Sequence, residues 1–336
     1  MCKHLRIWLF ALLATLLASN TLLAQGVITM TTSKAVGETI LLRVVANGNV
    51  SIEGALETGE MNEDGFKFYT IKSQTITIRG DVTELDCNEN QLTSLNVSKN
   101  TALTSLECSY NQLTSLDVSK NTALEELDCF SNQLTSLDVS KNTALEVLNC
   151  FSNQLTSLEV SKNTTLTKLW CSYNQLTSLD LSQNIALTKL DCSYDQLTSL
   201  DVSGCTALTE LNCINNQLTS LDVSKNTVLT ELECSYNQLT SLEVSKNTAL
   251  TTLSCNDNKL TNLNMSGCAN LMVINCSNNY INGKAMTKLV NSLPNRRGMY
   301  CGTIFLVDSS SKKSDKNRCS AADVTTAKRK NWKVRQ

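Results

Sequence analysis

The chain has 336 residues, of which 41% are hydrophobic and only one is a proline, and its formal net charge is −2. The single histidine, His4, lies in an N-terminal segment that we expect to be removed, so the mature chain has no imidazole for Ser-His-Asp or Cys-His catalysis or for a histidine metal site. Hydrolysis by paired carboxylates stays open, but no pair stands out. We therefore predict that the protein is not an enzyme and uses no cofactor.

Residues 1–24 have the features of a signal peptide. Lys3 and Arg6 give the basic start, and the apolar run over 7–17 is too short to span a membrane. Leu22, Leu23 and Ala24 form an acceptable cleavage site before residue 25. The segment predicts export to the extracellular space or the cell surface, with the periplasm as an alternative, and no other stretch predicts an integral membrane segment.

Residues 25–81 differ in composition from residues 82–279, because they are rich in β-branched residues and contain no cysteine. Four short, partly alternating runs separated by Gly and Asn predict β-strands. We interpret this region as a small β-rich N-terminal cap, since the end of a repeat array exposes apolar residues and unpaired strand edges. The strands are predicted at 27–30, 39–44, 50–52 and 75–78.

Residues 82–279 repeat one 21-residue unit about ten times. A fixed period of this length is typical of a solenoid in which each coil packs only against its neighbours. The repeat is marked by one cysteine per unit: Cys87, Cys108, Cys129, Cys150, Cys171, Cys192, Cys213, Cys234, Cys255 and Cys276.

Each unit contains two similar halves. In the first, Leu106 and Cys108 flank one polar residue, and in the second, Leu116 and Val118 do the same. This alternation predicts a short strand in each half, so we expect two short strands per coil and two parallel sheets along the solenoid. The asparagine that closes each half suits a tight bend, which predicts two internal columns of asparagine side chains.

The pattern LxxLxCxxNxLxxLDVSxN resembles the 21-residue leucine-rich repeat of internalin-J-like surface proteins, especially versions secreted by bacteria of the Bacteroidetes. The resemblance covers roughly residues 82–279, and placing cysteine at the inward strand position with this period is specific to few repeats. It implies a curved, non-enzymatic solenoid that functions in adhesion, biofilm formation or host contact. Solenoids of this kind have many functions, so the ligand has to be inferred from the residues on the surface.

The repeated cysteines are interpreted as a column of buried thiols. Thiols on parallel strands all point the same way and cannot converge on a tetrahedral metal, and adjacent coils offer poor disulfide geometry. We therefore predict no metal site. Each thiol is expected to serve as a small buried hydrophobe, and Cys205 and Cys268 replace the asparagine of the second half.

The second half of the unit carries an outward row of carboxylates with lysines near the bend. A solvated face is the simpler interpretation of this row, and weak divalent-cation binding is the alternative. The carboxylates are Asp117, Asp138, Glu159, Asp180, Asp201, Asp222 and Glu243.

In the first half of the unit, the residues at outward positions differ from coil to coil and are often aromatic. Contiguous apolar surface of this kind marks contact sites. Residues 130, 151, 170, 173 and 194 fall in consecutive coils, so we expect one patch, which Glu107, Asp128, Asp191 and Glu233 would rim with negative charge. Packing of the rings along the ladder is the alternative, and both protein and glycan ligands suit aromatic platforms. The candidate binding residues are Tyr110, Phe130, Phe151, Trp170, Tyr173, Tyr194 and Tyr236.

Residues 280–336 break the repeat and predict an α/β C-terminal cap. Apolar residues at helical spacing over 285–293 end before Pro294, 302–307 has the pattern of a strand, and Ser320 with Asp323 resembles a capping box that starts a second helix. Cys301 and Cys319 lie in this cap outside the cysteine column, and we predict a disulfide between them.

The charge is unevenly distributed along the chain. Residues 284–336 hold 13 Lys or Arg against 3 Asp, a net of +10, whereas residues 25–283 hold 14 against 28 acidic residues, a net of −14. The basic end suits an anionic surface, although a solvated exterior is the simpler interpretation. Nucleic acid is disfavoured as a partner, because this end has no nucleic-acid-binding motif and export is predicted.

We predict a secreted binding protein with a protein or glycan partner on a host or bacterial cell surface. Self-association in a structural matrix stays as the alternative.

Overall fold

The computed structural model describes residues 26–308 and 315–335. The predicted signal peptide over 1–24 lies outside the described residues. No helix among those described is long and apolar enough to cross a membrane.

The body of the protein is a parallel β-solenoid whose coils each add one strand to a single 15-stranded sheet. The strands pair in register from coil to coil, so that Leu106, Leu127 and Leu148 lie side by side. The ten strands of the repeat region are β7 (Val82–Asp86), β9 (Ser105–Glu107), β10 (Glu126–Asp128), β11 (Val147–Asn149), β12 (Lys168–Trp170), β13 (Lys189–Asp191), β14 (Glu210–Asn212), β15 (Glu231–Glu233), β16 (Thr252–Ser254) and β17 (Val273–Asn275).

The prediction of two strands in every coil is wrong. In the second to tenth coils the second half forms no strand ladder, because several of its backbone donors bond locally. The Ser140 N–H donates to the Asp138 carboxylate at 2.9 Å, and the Asn142 N–H donates to the Val139 carbonyl at 3.0 Å. The first coil is the exception. There the second half is strand β8 (Leu92–Lys99), because a strand of the N-terminal cap pairs with it.

The core is a column of apolar side chains inside the coil. In each coil the strand leucine, the cysteine after it and the inward residues of the second half are buried, as Leu127, Cys129, Leu134, Leu137 and Val139 show. All ten repeat cysteines are fully buried free thiols. Burial raises the pKa of the Cys129 thiol well above its usual value, as it does for the rest of the column, so the thiols stay neutral. No cluster of potential metal ligands occurs among the described residues.

Two asparagine columns join the coils, as predicted. In the first, Asn153 Nδ2 donates to the carbonyls of Cys129 and Cys150, at 3.1 Å each, and its Oδ1 accepts from the Leu134 N–H at 3.0 Å. In the second, Asn163 Nδ2 donates to the Val139 and Asn142 carbonyls. Each asparagine side chain therefore replaces backbone hydrogen bonds that the bend cannot make by itself.

The N-terminal region continues both sides of the solenoid. On the sheet side β2 pairs antiparallel with β7, and on the opposite side β1 pairs with β8, so the first coil is covered at both halves. The four predicted strands are present, and β4 and β5 are two more that the sequence did not indicate. The strands are β1 (Val27–Thr32), β2 (Thr39–Ala46), β3 (Ser51–Glu53), β4 (Ala55–Met61), β5 (Lys67–Ile71) and β6 (Thr75–Arg79).

The C-terminal region adds two further strands to the sheet, β18 (Gly302–Phe305) and β19 (Trp332–Arg335). Helix α1 (Lys284–Ser292) ends just before Pro294, and α2 (Ala321–Arg329) begins with the predicted capping box, in which the Ser320 and Asp323 side chains each accept from the other's backbone N–H. The buried ring of Trp332 donates through Nε1 to the Pro294 carbonyl at 2.9 Å.

The first asparagine column extends into this region through a residue that the sequence repeat did not mark. Asn317 Nδ2 donates to the carbonyls of Cys276 and Leu306, and its Oδ1 accepts from the Ile281 N–H at 2.8 Å. These are the bonds that Asn279 makes one coil earlier. The C-terminal region is therefore a modified coil with an insertion before Asn317.

The predicted disulfide between Cys301 and Cys319 is not formed, and both thiols are free. Cys301 is exposed just before β18, whereas Cys319 follows Asn317 by two residues and packs against the core, near Cys276 beyond the other end of that strand. The strand between them keeps the two sulfur atoms apart. Cys319 occupies the place that a leucine or isoleucine takes in the repeats.

Candidate binding surface

The aromatic residues that the sequence singled out lie mainly in the turn that follows each ladder cysteine, not on the strand itself. Tyr110, Tyr173 and Tyr194 are the second residue after the cysteine of their coil, whereas Phe130 and Phe151 are the first. Backbone hydrogen bonds to the next coil hold this turn in place, as from the Tyr194 N–H to the Ile214 carbonyl at 2.8 Å. The side chains therefore project along one edge of the sheet.

These five rings form a continuous row across the second to sixth coils, which we call the aromatic stripe (Tyr110, Phe130, Phe151, Tyr173 and Tyr194). Successive ring centroids are 4.6, 6.2 and 5.1 Å apart with the planes at 60–76°, and the last pair is stacked at 4.2 Å. The tyrosines remain 42–54% exposed despite these contacts. At a strand spacing of about 4.8 Å, the row extends over roughly 20 Å.

The tyrosines of the stripe occupy an unfavourable backbone conformation. The second residue after every ladder cysteine has a φ near +55°, and this left-handed region suits asparagine and aspartate far better than an aromatic residue. Three later coils follow that preference with Asn215, Asp257 and Asn278 at the same place, whereas the eighth coil carries Tyr236. Tyrosine there costs about 1 kcal/mol each, which indicates that the rings serve something other than the stability of the turn.

Trp170 does not belong to the stripe, contrary to the single patch that the sequence predicted. It is the last residue of β12 and faces outward on the sheet, beside Asn149 and Asp191 of the neighbouring strands. There it lines a pocket of about 240 Å³ with Lys189, Glu210 and Glu233. Strand alternation explains the separation, because the residue before the cysteine and the residues after it leave the backbone in different directions.

Tyr236 is also separate from the stripe, because the seventh coil carries Ile214 at the turn. The carboxylate of Asp257 lies close to Tyr236, and its negative charge raises the pKa of Tyr236. Tyr236 lines an open groove of about 470 Å³ with Tyr280, Asn278 and Lys316. This groove continues the turn edge toward the C-terminal region, and asparagine, aspartate and lysine side chains line it together with the two tyrosines.

The carboxylates predicted to rim the patch lie on the exposed face of the sheet. Glu107 shares this face with Asp86 and pairs with Arg43 at 3.1 Å. Burial and the charge of Asp86 raise the pKa of Glu107 to about 7, and burial raises that of Asp128, whose oxygen accepts from the Ser109 hydroxyl at 2.6 Å. The sheet face near the start of the stripe therefore carries less negative charge than predicted, because Arg43 is paired with Glu107 and the raised pKa values favour the protonated carboxyl groups.

The outward carboxylates of the second half have a structural role. Each accepts the backbone N–H of the serine two residues on, as Asp117 does from Ser119 at 2.9 Å and Asp222 from Ser224 at 2.8 Å. These hydrogen bonds lower the pKa of Asp117 and of Asp222. Because one oxygen of each is already committed, the row fits a solvated face better than a cation site.

The comparisons with known proteins agree with the repeat. A family model described as "Leucine Rich repeats (2 copies)" matches residues 122–163. The functional domain of InlJ from Listeria monocytogenes, which includes a cysteine ladder, is 38% identical with a TM-score of 0.63, over 71% of this chain and 52% of that one. This chain thus spans about half the length of that structure, and no curated protein matches it.

More distant structures share the fold alone. The leucine-rich repeat protein LIC12759 from Leptospira interrogans is 23% identical with a TM-score of 0.59, over 71% of this chain and 62% of that one. The ectodomain of the receptor kinase GASSHO1/SCHENGEN3 from Arabidopsis thaliana, solved with Casparian strip integrity factor 2, is 24% identical with a TM-score of 0.53, over 63% and 28%. The chain is a leucine-rich-repeat solenoid with a cysteine ladder.

Proposed function

We propose that this leucine-rich-repeat solenoid is an exported protein that binds a protein on a host or bacterial cell surface through the aromatic stripe. The observation that carries the proposal is the five-ring row, partly exposed and held by tyrosines in a backbone conformation that costs stability. Large aromatic side chains are the residues that most often dominate the energy of protein interfaces. A rigid solenoid also loses little conformational entropy when it binds.

The ring geometry favours a protein partner over a glycan. Sugar rings stack on open aromatic faces, whereas three of the four contacts in the stripe are edge-to-face and the stacked faces of Tyr173 and Tyr194 cover each other. These contacts leave few ring faces open, whereas ring edges and tyrosine hydroxyls remain on the exposed side. An amphipathic surface of this kind suits a protein interface with an apolar centre and polar contacts.

The test uses a variant that removes the rings without harming the turn. Asparagine already occupies this position in the seventh and tenth coils, so Tyr110→Asn, Tyr173→Asn and Tyr194→Asn combined should fold at least as stably as wild type. We expect binding of protein-coated beads to epithelial cells, and to bacteria from the same niche, to fall at least 30-fold, as hot spots of about 2 kcal/mol imply. Circular dichroism and urea unfolding check the fold.

Two controls locate the effect. Trp170→Ala removes an aromatic residue from the sheet face, and Tyr236→Asn removes one from the open groove beyond the stripe, so both should bind like wild type. Equal binding by wild type and the triple variant would contradict the proposal, and loss in Trp170→Ala alone would place the site on the sheet. If wild type binds no cell but sediments as concentration-dependent oligomers, the structural-matrix alternative replaces it.

A further inference from the structure

One coil carries an acid in the first asparagine column. Asp195 takes the place held by asparagine in the coils on either side, and it directly follows Tyr194 of the aromatic stripe. Within the repeats, the other members of the column are Asn90, Asn111, Asn132, Asn153, Asn174, Asn216, Asn237, Asn258 and Asn279.

The neighbouring asparagines show what this position requires. Asn174 accepts the Leu155 N–H through Oδ1 at 2.9 Å and donates through Nδ2 to the carbonyls of Cys150 and Cys171, at 3.1 and 2.9 Å. Asn216 repeats the pattern toward Leu197, Cys192 and Cys213. The site therefore needs one acceptor and one donor, and the donor holds two successive coils together.

Asp195 supplies the acceptor but not the donor. Its Oδ1 accepts the Leu176 N–H at 2.9 Å, whereas Oδ2 is buried and has no hydrogen-bond partner. By the repeat, Oδ2 lies where Nδ2 of an asparagine would donate to the carbonyls of Cys171 and Cys192. An ionised Oδ2 would place a negative charge against two carbonyl oxygens, while a protonated Oδ2–H can donate to one of them.

The surroundings also disfavour the ionised form. Asp195 is only 7% exposed. Burial and the charge of Asp191 raise the pKa of Asp195 to about 7, although hydrogen bonds from two backbone N–H groups act in the opposite direction. The neighbouring thiols of Cys150, Cys171 and Cys192 carry no positive charge that could stabilise the carboxylate, and the charge of Asp195 in turn contributes to their raised pKa values. Lys189, on the strand before this turn, pairs with Glu210 at 2.7 Å.

We propose that Asp195 is a proton-dependent lock between the fifth and sixth coils, closed when its carboxyl group is protonated and loosened when that group ionises. The turn that it closes carries Tyr194, which stacks on Tyr173 at 4.2 Å, so the lock sets the geometry of one end of the aromatic stripe. This inference adds a regulation to the proposed binding function and rests on it for its biological meaning. The lock itself is a property of the solenoid.

The sign of the pH effect follows from the two pKa values. Below pH 4 the carboxyl group is protonated in both folded and unfolded chains, so the lock is closed without cost. Between pH 4 and 7 the unfolded chain loses the proton first, so the local folding equilibrium weakens by about tenfold per pH unit. Above pH 7 the carboxyl group is ionised in both the folded and the unfolded chain, so the local folding equilibrium weakens no further.

The experiment is hydrogen exchange of the full chain, resolved to peptides, from pH 5 to 8 after correction for intrinsic exchange. We expect the 172–196 peptide to lose protection with rising pH in wild type by at least tenfold more than in Asp195→Asn, which restores the donor. Asn153→Asp is the matched control, and it should create the same pH dependence in the 150–154 turn. The 13C resonance of the Asp195 carboxyl group reports its titration directly.

Parallel pH profiles for wild type and Asp195→Asn, or an Asp195 carboxyl resonance that titrates near pH 4, would overturn the lock. The link to binding is measured separately, as bead adhesion at pH 5.5 and 8. Wild type should bind more strongly at the lower pH, and Asp195→Asn should bind equally at both. If the Tyr→Asn triple variant still binds, the proposed function fails, while hydrogen exchange still decides on the lock.

Discussion

The two halves of one coil have nearly the same sequence pattern but different structures. In the third coil, Leu127 and Cys129 of the first half are buried as completely as Val139 of the second, and Leu137 nearly so. Only the first half forms a ladder, in which the Cys129 N–H donates to the Asn149 carbonyl of the next coil at 2.9 Å. Period-two alternation therefore predicts which residues are buried but not whether a strand pairs.

The difference lies in where the backbone donors go. Aspartate and serine in the second half form local side-chain-to-backbone bonds, which compete with pairing between coils. The first coil shows that this half can still form a strand when a partner is present, because β1 pairs with β8 there. The pairing is irregular around Ser98, whose N–H keeps its local hydrogen bond to the Asn96 side chain. Secondary structure here depends on the neighbour as much as on the pattern.

The two asparagine columns also differ in how completely their side chains are hydrogen-bonded. Asn153 of the first column uses both its Oδ1 and its Nδ2, whereas six asparagines of the second column have a buried Oδ1 without a partner. A buried polar atom without a hydrogen bond costs free energy. The second column is therefore the weaker connection, and this explains why Cys205 and Cys268 can stand in it. The unpartnered oxygens belong to Asn121, Asn142, Asn163, Asn184, Asn226 and Asn247.

The largest effect that separates the halves should come from truncating matched leucines. Leu148→Ala, in the ladder half, should cost about 3–5 kcal/mol, because the side chain is fully buried between two strands that cannot close around the cavity. Leu158→Ala, in the second half and 6% exposed, should cost about 1–2 kcal/mol less. Hydrogen exchange of the fourth coil measures both, and equal costs would remove the distinction between the halves.

A smaller difference is expected between the asparagine columns. Asn153→Ala should cost about 2–4 kcal/mol, because it leaves the Leu134 N–H and two carbonyls without partners. Asn163→Ala should cost about 1–2 kcal/mol, because its Oδ1 accepts no hydrogen bond in the first place. Urea midpoints of the two variants give the comparison, and a larger loss for Asn163→Ala would contradict it.

The smallest effect should be that of the exposed carboxylates of the second half. Asp138→Ala removes a local bond to the Ser140 N–H and should cost about 0.5 kcal/mol at pH 7. Because this bond lowers the pKa of Asp138, its contribution is present above pH 4 and is lost as the pH falls. The unfolding temperatures of wild type and variant should therefore approach each other as the pH falls below 4, and a constant difference would show that the carboxylate charge is not involved.

The sequence predicted the solenoid, its buried positions and the asparagine columns because each depends on a local repeat. The capping box before α2 and the end of α1 before Pro294 are local as well. The stripe was only partly predictable: the residues were identified, but the separation of Trp170 from the rings depends on the direction in which each side chain leaves the turn. The cost of tyrosine at positive φ could not be seen in the sequence.

By itself the sequence determined the period, the inward leucines and cysteines and the bends, since a 21-residue unit can bury these residues only against identical neighbours. The tertiary structure decided what depends on contacts between distant residues. These contacts determine which half of the coil pairs in a sheet and that Cys301 and Cys319 lie apart. They also extend the first asparagine column to Asn317. The tertiary structure also buried the Asp195 carboxyl group at a site that needs a donor, because a single substitution acquires its chemical meaning only from the coils stacked on either side.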